Sequence, residues 1–135
     1  ELYLKEILEL SKIIKSIKAQ EVLIVGKAIK KAQTILANYN NGMFSEWLVE
    51  MFGNVQTPYN FLRFFELHTL LKERSQKEYL SIPRRAAYKL AKVEGSTEQK
   101  EEFISQGKNK NASSLEEEID ILFPKYQRVT KTRKV

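Results

Sequence analysis

The length, composition and charge of this chain exclude several classes of protein. It has 135 residues, of which 42% are hydrophobic and 30% are charged, and it contains no cysteine. That length fits one domain with one core, and no stretch approaches the roughly 18 to 20 consecutive apolar residues of a membrane span. The lack of thiols excludes disulfides and thiolate metal sites. It also suits a cytoplasmic protein, and residues 1–10 show no signal-peptide cleavage site.

The net charge of +6 is unevenly distributed along the chain. Residues 1–19 carry +1, residues 20–93 carry +5 from eleven bases and six acids, and residues 94–123 carry −5 from three bases and eight acids. Residues 124–135 hold five bases and no acid, which completes the total. A basic balance favours a polyanionic partner, although it does not select DNA over RNA or anionic lipid.

Apolar residues recur at the spacing of helices in nearly every segment, and no run shows sustained strand alternation. The sequence therefore predicts an all-α protein, a compact helical domain of about six to seven helices that contains a helix-turn-helix. Ser114 and Glu117 have the spacing of a capping box for the last short helix. The predicted helices cover residues 3–16, 21–38, 43–52 and 57–71, and further ones open at 81–83, at Ser96 and at Ser114.

The centre of the chain has the features of two helices joined by a tight turn. Gly53 is expected to end the helix over 43–52 in a left-handed conformation, with Met51 on the buried face of that helix. Thr57 is the predicted N-cap of the next helix and Pro58 its first residue. Two helices joined so tightly cross at a steep angle, which lets the second enter the DNA major groove while the first braces it.

The polar start of the second of these helices predicts a surface that reads DNA. Amide side chains pair with adenine and arginine pairs with guanine, each through two hydrogen bonds. Thr57, with the backbone N–H groups at the helix start, is expected to hold a phosphate. The alternative is that these are ordinary solvent-facing turn and cap residues of a helical hairpin. The predicted base contacts are Gln56, Tyr59, Asn60 and Arg63.

Two basic clusters elsewhere in the chain are predicted to contact DNA phosphates. Side chains that neutralise phosphates make the affinity fall steeply with salt. The alternative is that the clusters are solvated faces, with the arginines only countering the acidic segment 94–123. The predicted phosphate contacts are Lys27, Lys30, Lys31, Arg84, Arg85 and Lys89, together with Thr57.

No arrangement of residues predicts an enzyme. There is no Ser/His/acid set, no phosphate-binding glycine loop and no pair of catalytic carboxylates. His68, the single histidine, is interpreted as a partly buried structural residue. The acidic run 116–120 is interpreted as a capped helix start, because adjacent carboxylates on a helix diverge. We expect no catalytic residue, metal, cofactor or small-molecule substrate, and no membrane partner.

Four segments follow from the changes in composition. Residues 1–20 form an N-terminal amphipathic helix that is a possible oligomer contact, and residues 21–106 form the helix-turn-helix domain. Residues 107–123 form a polar linker with the short acidic helix, and residues 124–135 form a basic disordered tail.

Several stretches of the chain resemble a known family. They are residues 25–32 (VGKAIKKA), 42–48 (GMFSEWL), 57–64 (TPYNFLRF), and 80–90 with 101–104. They resemble the helix-turn-helix region of ParB-like plasmid partition and replication-associated proteins, and more closely the chlamydial virulence-plasmid protein family and its chromosomal relative. The nucleotide-binding portion of full ParB proteins has no counterpart here, so nucleotide hydrolysis and clamp behaviour are not expected.

The resemblance implies a sequence-specific DNA-binding protein that reads the major groove with helix 57–71. Its role would be in plasmid maintenance or partition, or in gene regulation. Its partners would be double-stranded DNA and a second copy of the chain, since a homodimer reads two half-sites. The alternative is a non-enzymatic helical protein–protein interaction module with no nucleic-acid role.

Overall fold

A computed structural model describes residues 2–39, 42–107 and 109–123, without the side chains of residues 2–3 and 11–18. The described residues form seven α-helices and no strand, which confirms the predicted all-α class. The predicted tail lies outside the described residues. No described helix is both long enough and apolar enough to cross a membrane. The helices are α1 (Leu2–Leu36), α2 (Met43–Phe52), α3 (Gln56–Leu70), α4 (Glu73–Ser81), α5 (Arg84–Lys92), α6 (Thr97–Gln106) and α7 (Ala112–Leu122).

The first helix is a single element, so the prediction of separate helices over 3–16 and 21–38 was wrong. No glycine or proline lies between those two segments, and without such a residue the intrahelical hydrogen bonds continue through them. Ala19, Val22 and Ile29 in the later part of α1 are at most 6% exposed. That part therefore packs on a core.

The chain divides into two compact units, Glu1–Leu67 and His68–Val135. The core of the first unit is built from Ile29, Leu48 and Leu62, one each from α1, α2 and α3. A Cβ atom placed on Gly26 would lie 2.5 Å from the carbonyl oxygen of Phe61, so α1 passes too close to α3 for any side chain at this position.

The connection between α2 and α3 combines one correct and one wrong prediction. Gly53 has a φ of 83°, and its N–H donates to the carbonyl oxygen of Val49, so it is the left-handed cap that was expected. Thr57 is not the N-cap: Asn54 Oδ1 accepts the Thr57 N–H at 2.8 Å, and α3 already begins at Gln56. Met51 is also misplaced, since it is 60% exposed.

The second unit contains α4, a helix that the sequence analysis did not predict. Only Ser75 and Tyr79 of α4 are buried, so the segment lacks the repeating apolar stripe by which helices are recognised. Tyr79 is fully buried, and its hydroxyl donates to the carbonyl oxygen of Ala87 at 2.7 Å. Ala87 belongs to α5, and the hydrogen bond therefore ties α4 to α5.

The starts of α6 and α7 show two ways of capping a helix. Ser96 and Gln99 form a capping box at the start of α6. At α7 the predicted box starting at Ser114 was wrong, because Asn111 Oδ1 accepts the Ser114 N–H at 2.8 Å and so starts the helix earlier. Leu115 and Ile119 of α7 are fully buried.

Candidate nucleic-acid interface

The residues predicted to contact bases lie in the first two turns of α3. Spacings of three and four place Gln56, Tyr59, Asn60 and Arg63 along one side of the helix. Gln56 and Arg63 are exposed, whereas Tyr59 and Asn60 are half-buried. The structure therefore brings the four together, but it offers them to solvent unequally.

An aromatic contact holds the arginine of this surface. The guanidinium carbon of Arg63 lies 5.2 Å from the centre of the Tyr59 ring, within the range of a cation–π interaction. The Tyr59 ring in turn meets the Phe44 ring of α2 edge to face, with centroids 6.0 Å apart and planes at 86°. This series of contacts restricts the guanidinium before any ligand arrives, which lowers the entropy cost of using it.

Asn60 is not arranged for the contact that the sequence analysis assigned to it. Its Oδ1 atom is buried and has no hydrogen-bond partner among the described residues. Pairing with adenine through two hydrogen bonds requires both ends of the amide. The amide oxygen and nitrogen are assigned by their surroundings, but in either orientation one end faces inward. A second rotamer is needed before Asn60 can read a base in this way.

The start of α3 offers a phosphate few free donors. The Thr57 N–H is taken by Asn54 Oδ1, and the Tyr59 N–H by the carbonyl oxygen of Val55 at 3.1 Å. Pro58 has no N–H. The backbone N–H groups at these positions therefore cannot hold a phosphate as expected. The exposed side chain of Thr57 can still contact one.

The basic segment of α1 lies beside α3 and is exposed. Lys30 Nζ is 2.9 Å from Glu66 Oε2 of α3, and both side chains are more than 40% exposed. An exposed pair of this kind contributes only about 0.2–1 kcal/mol, so a phosphate can compete with Glu66. Lys27 and Lys31 are exposed and form no salt bridge within the described part of the chain.

Two basic residues of α5 are instead paired with acids. Arg85 Nε lies 2.7 Å from Glu116 Oε2, and Lys89 Nζ lies 2.9 Å from Asp120. Arg84 is hydrogen-bonded to Tyr88. Burial raises the pKa of the Tyr88 hydroxyl, and the hydrogen bond to Arg84 only partly opposes that rise. These contacts are the ones expected if α5 counters the acidic residues of α7.

One buried cation was not predicted from the sequence. Lys100 is 7% exposed, and its Nζ donates to the carbonyl oxygen of Val93 at 2.7 Å. Burial lowers the pKa of this ammonium group, because removal from water disfavours the charged form. The signal was available, since Lys100 precedes the buried Phe103 and Ile104 by three and four residues and so shares their face.

His68 is half-buried, as expected for a structural residue. Burial lowers the pKa of its imidazole. Within the described ranges, no three His, Asp or Glu side chains are grouped so as to hold a metal ion.

Comparison with known proteins identifies the family of the chain. It belongs to the uncharacterised protein family UPF0137, whose family model matches residues 1–135. The chain is 42% identical over 121 residues to a virulence plasmid protein pGP6-D-related protein of Chlamydia pneumoniae, covering 90% of this chain and 48% of that protein.

A second group of relatives carries the name of the plasmid protein itself. The chain is 34% identical over 114 residues to the virulence plasmid protein pGP6-D of Chlamydia trachomatis, covering 82% of this chain and 46% of that protein. The chain thus spans about half the length of the curated relatives it matches. No solved structure matches it.

Proposed function

We propose that this chain is a sequence-specific DNA-binding module in which α2 and α3 form a ParB-like helix-turn-helix. In this proposal α3 reads the major groove and α2 braces it. The supporting observation is the exposed side chain of Arg63 on α3, which is held on the Tyr59 ring. Arginine held in this way suits two hydrogen bonds to guanine.

The same unit also supplies positive charge. The close approach at Gly26 and the Lys30–Glu66 pair set the basic segment of α1 against α3. Lys27 and Lys31 are the side chains best suited to neutralise phosphates there, because both are exposed and no described acid pairs with them. Arg85 and Lys89 are left out of this proposal, because their side chains are paired with Glu116 and Asp120.

The biological role in this proposal follows the names of the relatives. The relatives are named for a virulence plasmid protein, so the proposed target is plasmid or promoter DNA in the cytoplasm. The role would be plasmid maintenance or partition, or transcription regulation, without enzymatic activity. A homodimer that reads two half-sites is the expected form.

A specific observation also favours the alternative of a protein–protein interaction module. Four large apolar side chains near the start of α1 are more than half exposed. A surface of this kind marks an interaction site on many soluble proteins. If it is the main functional surface, the polar start of α3 is only a solvated helix end.

DNA selection from a random library, followed by fluorescence anisotropy, tests the proposal. Arg63→Ala is expected to weaken binding to the selected site by about 1–3 kcal/mol, which is roughly 5- to 150-fold. Arg85→Ala is the matched control, because Arg85 is an exposed arginine already paired with Glu116. Equal effects of the two substitutions, or no enriched sequence, would contradict the assignment of the α3 surface.

A further inference from the structure

The first turns of α1 have a bare apolar surface. Leu4, Ile7, Leu8 and Leu10 are between 52% and 62% exposed. Every residue from 4 to 10 is exposed. By contrast, Val22 and Ile29 of the same helix are at most 6% exposed. One end of α1 therefore belongs to a core, and the other end presents leucine and isoleucine to solvent.

A helix end of this kind is stabilised when something covers it. Short helical segments without tertiary packing have marginal stability in water. Moving large apolar side chains out of water lowers the free energy. The surface of residues 4–10 therefore fits an apolar helix laid alongside it.

The charge pattern of the segment indicates what that helix is. Within the segment 4–18, residues 4–9 hold two acids and one base, which gives −1, and residues 10–18 hold three lysines and no acid, which gives +3. Two copies aligned in parallel would set like charges side by side. Two antiparallel copies would set the acidic half of each against the basic half of the other, so that both ends attract.

We infer that residues 4–18 of α1 pair antiparallel with the same segment of a second copy of this chain. At a rise of 1.5 Å per residue the paired segment is about 21 Å long, which is roughly four helical turns. The pairing relates the copies by a two-fold axis, so the same surface serves on both sides of the contact.

This inference does not require DNA binding, although it gives the proposed homodimer its contact. The mass measurement below is made without DNA. A chain that pairs but ignores DNA would support this inference and contradict the proposed function. A chain that binds DNA as a monomer would do the reverse.

Sedimentation velocity over a range of protein concentrations tests the pairing. The whole chain is expected to shift from the monomer to twice the monomer mass as the concentration rises. Ile7→Lys is expected to weaken the dimer at least tenfold. Ile121→Lys is the matched control, because Ile121 is 73% exposed in the second unit and should leave the dimer unchanged. A monomer at every concentration, or equal effects of both substitutions with helicity preserved, would overturn the inference.

Cross-linking tests the orientation, and the absence of native cysteine makes it specific. Lys5→Cys and Ser16→Cys are made separately, mixed and oxidised. The antiparallel pair predicts that the mixed disulfide exceeds both self-linked products. Dominance of the self-linked products would show a parallel pair and overturn the inference.

Discussion

Two basic segments that look alike in the sequence have different surroundings in the structure. On α1, Lys27 and Lys31 are exposed and unpaired among the described residues. On α5, Arg85 and Lys89 are paired with Glu116 and Asp120 of α7 at 2.7 and 2.9 Å. The count of positive charges in a segment therefore does not give the number available to a polyanion.

The origin of the difference is the partner helix of each segment. The α1 segment packs against α3. Among the described residues of α3, Glu66 is the one acid, and it pairs with Lys30. The α5 segment packs against α7, where four acids lie within residues 116–120. The α7 acids therefore neutralise Arg85 and Lys89. The α1 segment leaves Lys27 and Lys31 available.

The largest effect is expected from closing the space that sets α1 against α3. Gly26→Ala would place a methyl group 2.5 Å from the Phe61 carbonyl oxygen and 2.6 Å from the Phe65 Cβ. Overpacking of this kind costs about 1–3 kcal/mol, and urea denaturation would measure the loss. Gly95→Ala is a useful comparison, because the atoms nearest to its added methyl group belong to the Phe123 side chain and not to the backbone. A loss for Gly26→Ala that is no larger than the loss for Gly95→Ala would show that the α1–α3 crossing yields to the added methyl group.

The next effect distinguishes the two basic segments directly. Lys27→Ala with Lys31→Ala is expected to reduce the salt slope of DNA binding by about 1.8, since each lost phosphate contact removes roughly 0.9. Arg85→Ala with Lys89→Ala should leave the slope nearly unchanged. Binding titrations at several salt concentrations would measure both. A larger change in the α5 variant would reverse the comparison.

A smaller effect is expected from the ring that holds Arg63. Tyr59→Leu removes the cation–π contact and should weaken specific DNA binding by about 0.5–1 kcal/mol. Tyr59→Phe keeps the ring and should bind as well as the original protein. Binding to the selected and to an unrelated sequence would be compared. If both variants lose affinity equally, the hydroxyl rather than the ring is responsible.

The smallest effect is expected from the pair that neutralises α5. A double-mutant cycle of Arg85→Ala and Glu116→Ala should give a coupling of about 0.2–1 kcal/mol in the free energy of unfolding, because the Arg85 side chain is 69% exposed. Thermal and urea unfolding would provide the four values. A coupling of zero would mean that Arg85 does not pair with Glu116 in solution. The basic residues of α5 would then be as available to a polyanion as those of α1.

Much of the fold could be predicted from local chemistry. Gly53 revealed a helix end and Ser96 a helix start, because each acts through its own neighbouring backbone. The α4 helix could not be found in this way, since its place depends on one tyrosine buried against α5. The caps at Asn54 and Asn111 were missed because a serine or threonine nearby offered an equally plausible start.

The candidate site was predictable only in outline. The helical period placed Gln56 and Arg63 on one side of α3, and both are exposed. The inward turn of the Asn60 amide depends on packing that no local pattern describes. The pairing of Arg85 with Glu116 joins residues 31 positions apart, and only the folded chain brings them together.

The burial of the Lys100 side chain has a practical consequence. Its attachment to the Val93 carbonyl oxygen keeps it from reagents that acylate lysines at the surface. The extent of its modification would therefore report how often α6 separates from the chain before it. The rate at which Lys100 is acylated would thus measure local opening in the second unit.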